Sequence, residues 1–306
     1  MKKVLSLLGR YYFVIVFLAL LILPRYSKDY VLVLVSDILL YITLTMSWVL
    51  FSGPTRYISL APAAFFGIGV YVVALLGMSM ALPWIIAIAA CASFVIAFLI
   101  GAITLRLRGI YFTMATFGLM ELIRHLILWW EVNISGTVGR VVIPLKYTTV
   151  YYGMLVIATC VLLTVFFLGR SRLGLALRSI GDSEEAAAHT GINVTMIKTV
   201  IFALSTVFMG VSGVLMATRW TYIDPRIAFN ALYSFMPVLM AIFGGMEKMY
   251  GPVLGAVIFT LLEEILVTKL PYHYMLIFGL VLVISILYMP HGIVGLIRGW
   301  VKGGER

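Results

Sequence analysis

Long apolar runs, separated by charged residues, Pro or Gly, follow one another along almost the whole chain. Each run predicts a membrane-spanning helix, because a helix needs about 20 apolar residues to cross the hydrocarbon core. Ten such runs lie at about 7–24, 30–51, 58–78, 82–104, 110–130, 150–169, 199–218, 231–243, 251–268 and 273–289. The pattern predicts an all-α polytopic membrane protein whose single transmembrane domain extends over residues 1–306.

Two of these spans are irregular. The third carries Pro62 and Gly67, and the eighth carries Pro237 and ends at Gly244. The eighth is also too short to cross, since its helix reaches about 20 Å against a core of about 30 Å. Spans 2 to 5 and spans 7 to 10 form two groups of four that enter the membrane from opposite sides. The irregular span is the second one in each group. This order is typical of an inverted repeat with discontinuous helices beside a translocation path, although Pro and Gly are also simply common in membrane helices.

Small residues mark two faces where helices are expected to pack closely. Lipid tails provide no hydrophobic drive between helices, so backbones approach one another at small side chains. The ninth span has a G-x-x-x-G pair, Gly251 and Gly255. The seventh has a stripe at helical spacing that consists of Ala203, Thr206, Gly210, Gly213 and Ala217. We interpret both as helix contacts.

Composition and charge exclude a soluble protein and indicate an orientation. The chain is 63% hydrophobic and 11% charged, whereas ordinary globular proteins are roughly 45–50% apolar and 25% charged. Lys and Arg number 22 against 12 Asp and Glu, which gives a formal net charge of +10. If both termini are cytoplasmic, roughly two-thirds of the basic residues fall on the cytoplasmic side, as the positive-inside rule requires. The positive charge therefore reflects topology and gives no reason to expect a nucleic-acid partner.

A few charged residues fall inside the apolar spans. Glu121, Arg124 and His125 share one face of the fifth span, because they stand at i, i+3 and i+4. Such a face is expected to look inward or to pair internally, since charge within the membrane is costly. An internal Glu121–Arg124 pair and a polar group beside the substrate path are both compatible with this spacing. Glu263 and Glu264 in the ninth span pose the same choice, and only one of them can face a narrow path.

The longest polar segment, residues 170–198, lies on the predicted cytoplasmic side. Asp182 or Ser183 can cap a short helix that has two glutamates in its first turn, where negative charge suits the helix dipole. An E-A-A-x-x-x-G run follows from Glu185 to Gly191. A short helix with small alanines and a terminating glycine can fit closely into a groove of another protein.

Several stretches, in one consistent order, resemble the branched-chain amino acid permease family of ABC importers, and its LivM-type subunit in particular. They extend over most of the chain and are AFFGIGVYVVALL from Ala64, LRLRGIYFTMATFGLMELIR from Leu105, SRLGLALRSIGDSEEAAAHTGINV from Ser171, FMGVSGVLMA from Phe208, MPVLMAIFGGMEKMYGPVLGAVIFTLLEEIL from Met236 and YMPHGIVGLI from Tyr288.

The resemblance implies an importer in a prokaryotic cell membrane that pairs this chain with a second permease subunit. Two ATP-binding subunits and an extracytoplasmic substrate-binding protein complete it, and ATP and Mg²⁺ belong to the partner subunits. It also implies that residues 170–198 form the coupling loop that rests on an ATP-binding subunit. The residues expected to carry this contact are Arg172, Glu184, Glu185, Ala186, Ala187 and Gly191. Candidates for the translocation path or for helix register are Pro62, Gly67, Glu121, Arg124, Pro237, Gly244 and Glu263.

The sequence offers little chemistry of its own. It contains no G-x-x-x-x-G-K-[ST] phosphate loop, no histidines at metal-ligand spacing and no nucleophile with a matched base. We therefore expect a permease without enzymatic activity, metal or cofactor, carrying branched-chain or related amino acids. The same architecture with urea, short amides, sugars or nucleosides as cargo is the nearest alternative. A stand-alone channel or ion-coupled transporter is an alternative of a different class, and a membrane-embedded enzyme is a third.

Overall fold

The computed structural model describes residues 17–77, 79–246, 248–270, 272–273, 276–277 and 279–280. The chain enters this part through helical residues 17–22 and a 3-10 turn, Leu23–Arg25. The α-helices that follow are α1 Asp29–Thr55, α2 Pro62–Leu76, α3 Leu82–Thr104, α4 Ile110–Trp130, α5 Tyr147–Arg170, α6 Arg172–Asp182, α7 Glu184–His189, α8 Val194–Ala217, α9 Pro225–Ala228, α10 Leu232–Gly244 and α11 Tyr250–Lys269.

Seven segments of the described residues are long and apolar enough to cross a membrane. They are α1, α3, α4 with its π-helical extension Glu131–Ser135, α5, α8, α9 together with α10, and α11; α2 is a shorter apolar helix. The protein is thus an all-α polytopic membrane protein. Most of the first predicted span and of the tenth lies outside the described residues, so the count of ten spans stays a prediction.

Within the described residues, one short sheet accompanies the helices. Arg140–Val141 pairs antiparallel with Tyr222–Ile223, and these strands, β1 and β2, join the loop after α4 to the loop after α8. The hydrophobic pattern did not predict them, because two residues are too few for an alternating signal. They tie two distant loops together at one end of the bundle, which we call the strand end. The other end, where α6 and α7 lie, is called the loop end.

Helices α1 and α8 form the centre of the bundle. In α8, 78% of the most apolar window is buried, and in α1 the share is 67%, whereas only 17% is buried in α4. A mutually packed cluster of aromatic rings lies near the loop end, where Phe51 contacts Phe112 and Phe202 with ring centroids 6.1 and 5.2 Å apart. The more exposed helices α3, α4 and α5 form the outside of the bundle and present apolar side chains there.

The small-residue faces predicted from the sequence are confirmed as helix contacts. Helices α2 and α8 approach so closely that a Cβ built on Gly69 would overlap the carbonyl group of Gly210. In the same way Gly255 of α11 lies against the backbone of α10 at Met240. Backbone therefore packs directly on backbone at both interfaces, as is common where small residues mediate contacts between membrane helices.

The two irregular spans meet inside the bundle. Ser234 at the start of α10 donates from Oγ to the carbonyl oxygen of Leu60 at 2.9 Å and accepts from the amide of Ala63 at 3.1 Å. Residues 56–61 are non-helical, and a 2.8 Å hydrogen bond from the indole of Trp48 to the carbonyl oxygen of Ser59 holds them in place. Side chains thus satisfy the backbone groups that these interruptions free, a general requirement within a membrane.

Candidate functional site

Two adjacent caps shape the polar segment at the loop end. Ser183 lies between α6 and α7, and its Oγ accepts a hydrogen bond from the amide of Ala186, which confirms the predicted cap. Helix α7 ends at His189 and Gly191 follows its cap, with a φ of +83° in the left-handed region, while the amide of Ile192 donates to the carbonyl oxygen of Ala187 at 3.2 Å. This is a Schellman-type ending, for which glycine is the favoured residue.

Lys198 anchors helix α7 to the membrane bundle. Its side chain is 3% exposed, and Nζ donates to Oε1 of Glu184 at 2.6 Å and to the carbonyl oxygen of Leu105 at 3.2 Å. The hydroxyl of Tyr57 donates to the same Glu184 oxygen at 2.7 Å, while Nζ of Lys198 lies 4.5 Å from the Tyr57 ring centroid. One carboxylate thus links α7 to α8 and to the chain that leaves α1.

The electrostatics of this anchor follow from burial and pairing. Burial alone would raise the pKa of the Glu184 carboxyl, but hydrogen bonds from Lys198 and Tyr57, together with the charges of Lys198 and Arg108, outweigh it and lower that pKa. Burial and the hydrogen bond to Glu184 raise the pKa of the Tyr57 phenol. Glu184 is therefore ionised and Tyr57 is neutral around neutral pH, which are the states that this geometry requires.

Two further arginines surround the anchor in a more exposed setting. Arg108 lies 3.6 Å from Glu184 and 3.7 Å from Glu185, while Arg56 lies 2.8 Å from Asp182. Both side chains of the Arg56–Asp182 pair are 71% exposed, so water screens their attraction. The net effect is that each acidic residue from 182 to 185 has a basic neighbour.

The predicted coupling residues divide between an inner and an outer face. Ala187 is fully buried against the bundle, whereas Glu185 and Ala186 are exposed. Arg172 is exposed at the start of α6, apart from the acidic helix. Adjacent helical positions point about 100° apart, so Ala186 and Ala187 face different directions, and in this subunit only Ala186 is open to a partner. The outer face also includes two exposed apolar side chains of α6, Leu173 and Leu175.

From the sequence, we did not single out Lys198, Tyr57 or Arg108 as functional residues. A signal was present for Lys198, because it interrupts the apolar pattern of the seventh span and displaces the predicted start to residue 199. The helix begins at Val194, where the side chain of Asn193 caps it by accepting from the amide of Met196. A lysine one turn inside a membrane helix needs a partner, and this partner comes from the polar segment.

Among the charges of the fifth predicted span, the internal pair is present. Arg124 Nη2 lies 2.6 Å from Glu121 Oε2, and His125 lies 3.8 Å from the same oxygen. These residues occupy α4, the least buried of the candidate spans. This geometry favours the helix-register interpretation over a place beside a central path.

The prolines and glycines predicted near the path have packing roles. Pro62 occupies the first turn of α2, where no backbone donor is needed, and Pro237 lies inside α10. Gly67 packs against the ring of Phe229, and Gly244 packs against the backbone of Gly251. None of these four positions brings a polar side chain into the bundle.

A charged cavity of about 300 Å³ lies nearer the strand end, between α1, α8, α10 and α11. Arg219 and Asp37 form an ion pair across it, with Nη1 2.5 Å from Oδ1 and Nη2 3.4 Å from Oδ2. Glu264 accepts a 2.8 Å hydrogen bond from Tyr30. Glu263 also lines the cavity, together with Leu34, Leu40, Tyr41, Met216, Trp220, Tyr233, Thr260 and Val267.

Comparison with known proteins assigns the chain to a family. The sequence profile described as "Branched-chain amino acid transport system / permease component" matches residues 30–286. The LivM permease protein of the high-affinity branched-chain amino acid transport system of Salmonella typhimurium is 26% identical over 298 residues, covering 86% of this chain and 70% of the relative. The Escherichia coli protein of the same name is 27% identical, with the same coverage.

Shorter similarity extends to permeases for sugars. The xylose transport system permease protein XylH of Haemophilus influenzae is 26% identical over 130 residues, which cover 41% of this chain and 35% of the relative. No solved structure matches the chain. Because the profile extends over most of the sequence and agrees with the membrane-spanning bundle, the chain belongs to the family of branched-chain amino acid transport permease components.

Proposed function

We propose that this chain is the membrane-spanning permease subunit of an ABC importer for branched-chain or related amino acids. Family membership and the similarity to two LivM proteins support this proposal. The observation that carries it is the geometry of residues 170–198, where α7 is fixed to the bundle by its inner face and leaves Glu185 and Ala186 outside. A segment built in this way has an anchored side toward the helices and a free side toward a partner.

The proposed topology has ten spans, with both termini in the cytoplasm of a prokaryotic cell. The loop end is then cytoplasmic, in keeping with the arginines and lysines collected there. The hydrogen bonds between the irregular spans, at Ser234, Ala63 and Leu60, support an inverted repeat in which α2 and α10 take corresponding places. The whole chain forms one domain, with residues 170–198 as its cytoplasmic coupling loop.

The proposed partners are a second permease subunit, two ATP-binding subunits and an extracytoplasmic substrate-binding protein. ATP and Mg²⁺ act on the ATP-binding subunits, and this chain hydrolyses nothing. When those subunits close on ATP, they move the outer face of α7, and Lys198 and Tyr57 transfer that motion to α8 and α1. The helices then alternate access to a central path.

The substitution Glu185→Lys tests the coupling surface. Glu185 is 80% exposed, so its reversal should change the stability of the bundle little and abolish docking of the ATP-binding subunit. We expect ATP-driven leucine uptake to fall to background in proteoliposomes, with an unchanged thermal unfolding temperature. Lys146→Ala, a charge change at the exposed start of α5, is the matched control. Full uptake by Glu185→Lys, or failure of tagged wild-type protein to co-purify with ATP-binding subunits, would overturn the proposal.

A second candidate is the same importer architecture with a sugar as cargo. The similarity to XylH and to the Escherichia coli L-arabinose permease AraH favours it, although each covers less than half of the chain. The substrate-binding protein that docks on this permease discriminates between the two. Retention of leucine, isoleucine or valine supports the amino-acid importer, while retention of a pentose alone supports the sugar importer.

A further inference from the structure

The charged cavity has more negative groups than its own residues neutralise. Among the described residues, it is lined by Asp37, Glu263 and Glu264 but by a single basic residue, Arg219. Asp37 forms an ion pair with Arg219, and Glu264 accepts a hydrogen bond from the hydroxyl of Tyr30. Glu263 has no hydrogen bond or ion pair with any described residue. An ionised carboxylate within a membrane bundle is costly unless a donor or cation compensates it, and the residues that the structure describes leave Glu263 without one.

Arg219 also has N–H donors without an acceptor among the described residues. A guanidinium has five N–H donors in a fixed fork. In Arg219, two of them point to Asp37 and a third points to the sulfur of Met216 at 3.8 Å. The remaining donors leave room for a second acceptor. The described lining of the cavity thus has a free acceptor, the carboxylate of Glu263, and free N–H donors on Arg219.

From these two observations we infer that the charged cavity binds a zwitterionic α-amino acid, with its ammonium group at Glu263 and its carboxylate at Arg219. The walls suit an apolar side chain, because Tyr41, Tyr233 and Trp220 line the cavity together with aliphatic residues. Its volume of about 300 Å³ is at the small end of the range of known ligand sites, as a small ligand requires. A second carboxylate on the ligand would be repelled by the acidic lining.

The cavity occupies a place where binding can affect the transport cycle. It lies between α10, one of the two irregular helices, and α8, whose opposite end holds Lys198. A ligand that bridges Glu263 of α11 and Arg219 after α8 would draw these elements together. This inference rests on the proposed function for its physiological meaning, but the binding itself does not depend on ATP or on the partner subunits.

Binding of radiolabelled leucine to the purified full-length permease, without substrate-binding protein, tests the site directly. Loss of one charge-assisted contact should weaken binding by about tenfold or more in Glu263→Gln. Glu263→Asp keeps the carboxylate and should recover part of the affinity. Asp29→Asn removes the same charge from the exposed start of α1 and should change affinity less than about twofold. Gel filtration and thermal unfolding verify that each variant is folded.

Competition identifies the class of ligand. We expect isoamylamine, which lacks the carboxylate, and 4-methylpentanoate, which lacks the ammonium group, to compete far less well than leucine. Equal competition by 4-methylpentanoate, displacement by xylose instead of leucine, or unchanged binding in Glu263→Gln would overturn the inference. ATP-driven import by the wild-type assembly is measured separately. Import without Glu263-dependent binding overturns only this site, while Glu263-dependent binding without import overturns only the proposed function.

Discussion

The two charged regions of the chain, at opposite ends of the bundle, differ in how their carboxylates are neutralised. In residues 170–198 every acidic side chain has a basic neighbour, and the buried Glu184 has Lys198 at 2.6 Å. In the charged cavity the described lining has three carboxylates and one arginine. Complete pairing fixes a helix in one position, whereas incomplete pairing leaves a charge for a ligand to satisfy. The first region is thus built for mechanical attachment and the second for binding.

Removal of the buried cation should produce the largest change. Lys198→Ala leaves Glu184 in a partly buried position, with Tyr57 and Arg108 as its remaining partners among the described residues. Breaking a buried ion pair typically costs about 3–5 kcal/mol, and we expect about 3 here because the Glu184 side chain keeps 18% exposure. Thermal unfolding of the detergent-solubilised protein measures it, together with ATP-driven uptake. A variant as stable as Lys146→Ala would show that the anchor contributes nothing.

Breaking the Arg219–Asp37 ion pair of the charged cavity should destabilise the fold by an intermediate amount. Arg219→Leu leaves Asp37 without its partner, and we expect a loss of about 1–3 kcal/mol in the free energy of unfolding. The double variant Asp37→Leu with Arg219→Leu removes both charges and should be less destabilised than Arg219→Leu alone. If the single variant is the more stable of the two, the negative excess in the cavity does not exist as described.

Low pH should weaken the attachment of α7 at Glu184. The pKa of Glu184 lies below its usual value of 4.5 in the folded protein, so its ionised form stabilises the fold. That contribution is present above pH 4.5 and is lost as the pH falls through the lowered pKa. Unfolding temperatures measured down to that range should decline for the wild-type protein and decline less for Glu184→Gln. Identical pH profiles would contradict the coupling between ionisation and anchoring.

The smallest effect is expected for the exposed pair at the loop end. Arg56→Ala removes the partner of Asp182, but both side chains are 71% exposed. Such pairs contribute about 0–1 kcal/mol. The variant should unfold within about 1 kcal/mol of the wild-type protein, and high salt should abolish even that difference. A loss comparable to that of Lys198→Ala would mean that burial is not what distinguishes these pairs.

The sequence predicted those features that depend on neighbouring residues. The cap at Ser183, the acidic first turn of α7 and the glycine ending at Gly191 are local, and all three are present. Helix limits were accurate where apolar runs end sharply, as in α3 and α4. The pattern also placed the two irregular spans, although by different means: Pro62 begins α2, whereas Pro237 lies inside α10, which continues to Gly244.

Side-chain pairs that are far apart in the sequence could not be predicted from local patterns. Tyr57 and Lys198 are 141 positions apart, and no local pattern indicates that they share one carboxylate. Asp37 lies in the second predicted span and Arg219 directly after the seventh, 182 positions further along the chain, so their pairing is not a local pattern either. Glu263 and Glu264 were expected to diverge because adjacent helical positions point about 100° apart. Both reach the same cavity, since long flexible side chains at its edge compensate for this divergence, but only Glu264 finds a hydrogen bond to Tyr30.

The contact between Gly69 and Gly210 has a mechanical consequence. Side chains between two helices act as a compliant layer, because rotamer changes absorb small shifts. No such layer separates α2 from α8 here, where backbone rests on backbone. We therefore expect a displacement of α8 at Lys198 to reach α2 with little loss, and with it the stacked rings of Tyr71 and Phe229. We expect the two helices to move together as one rigid unit that extends from the loop end toward the strand end.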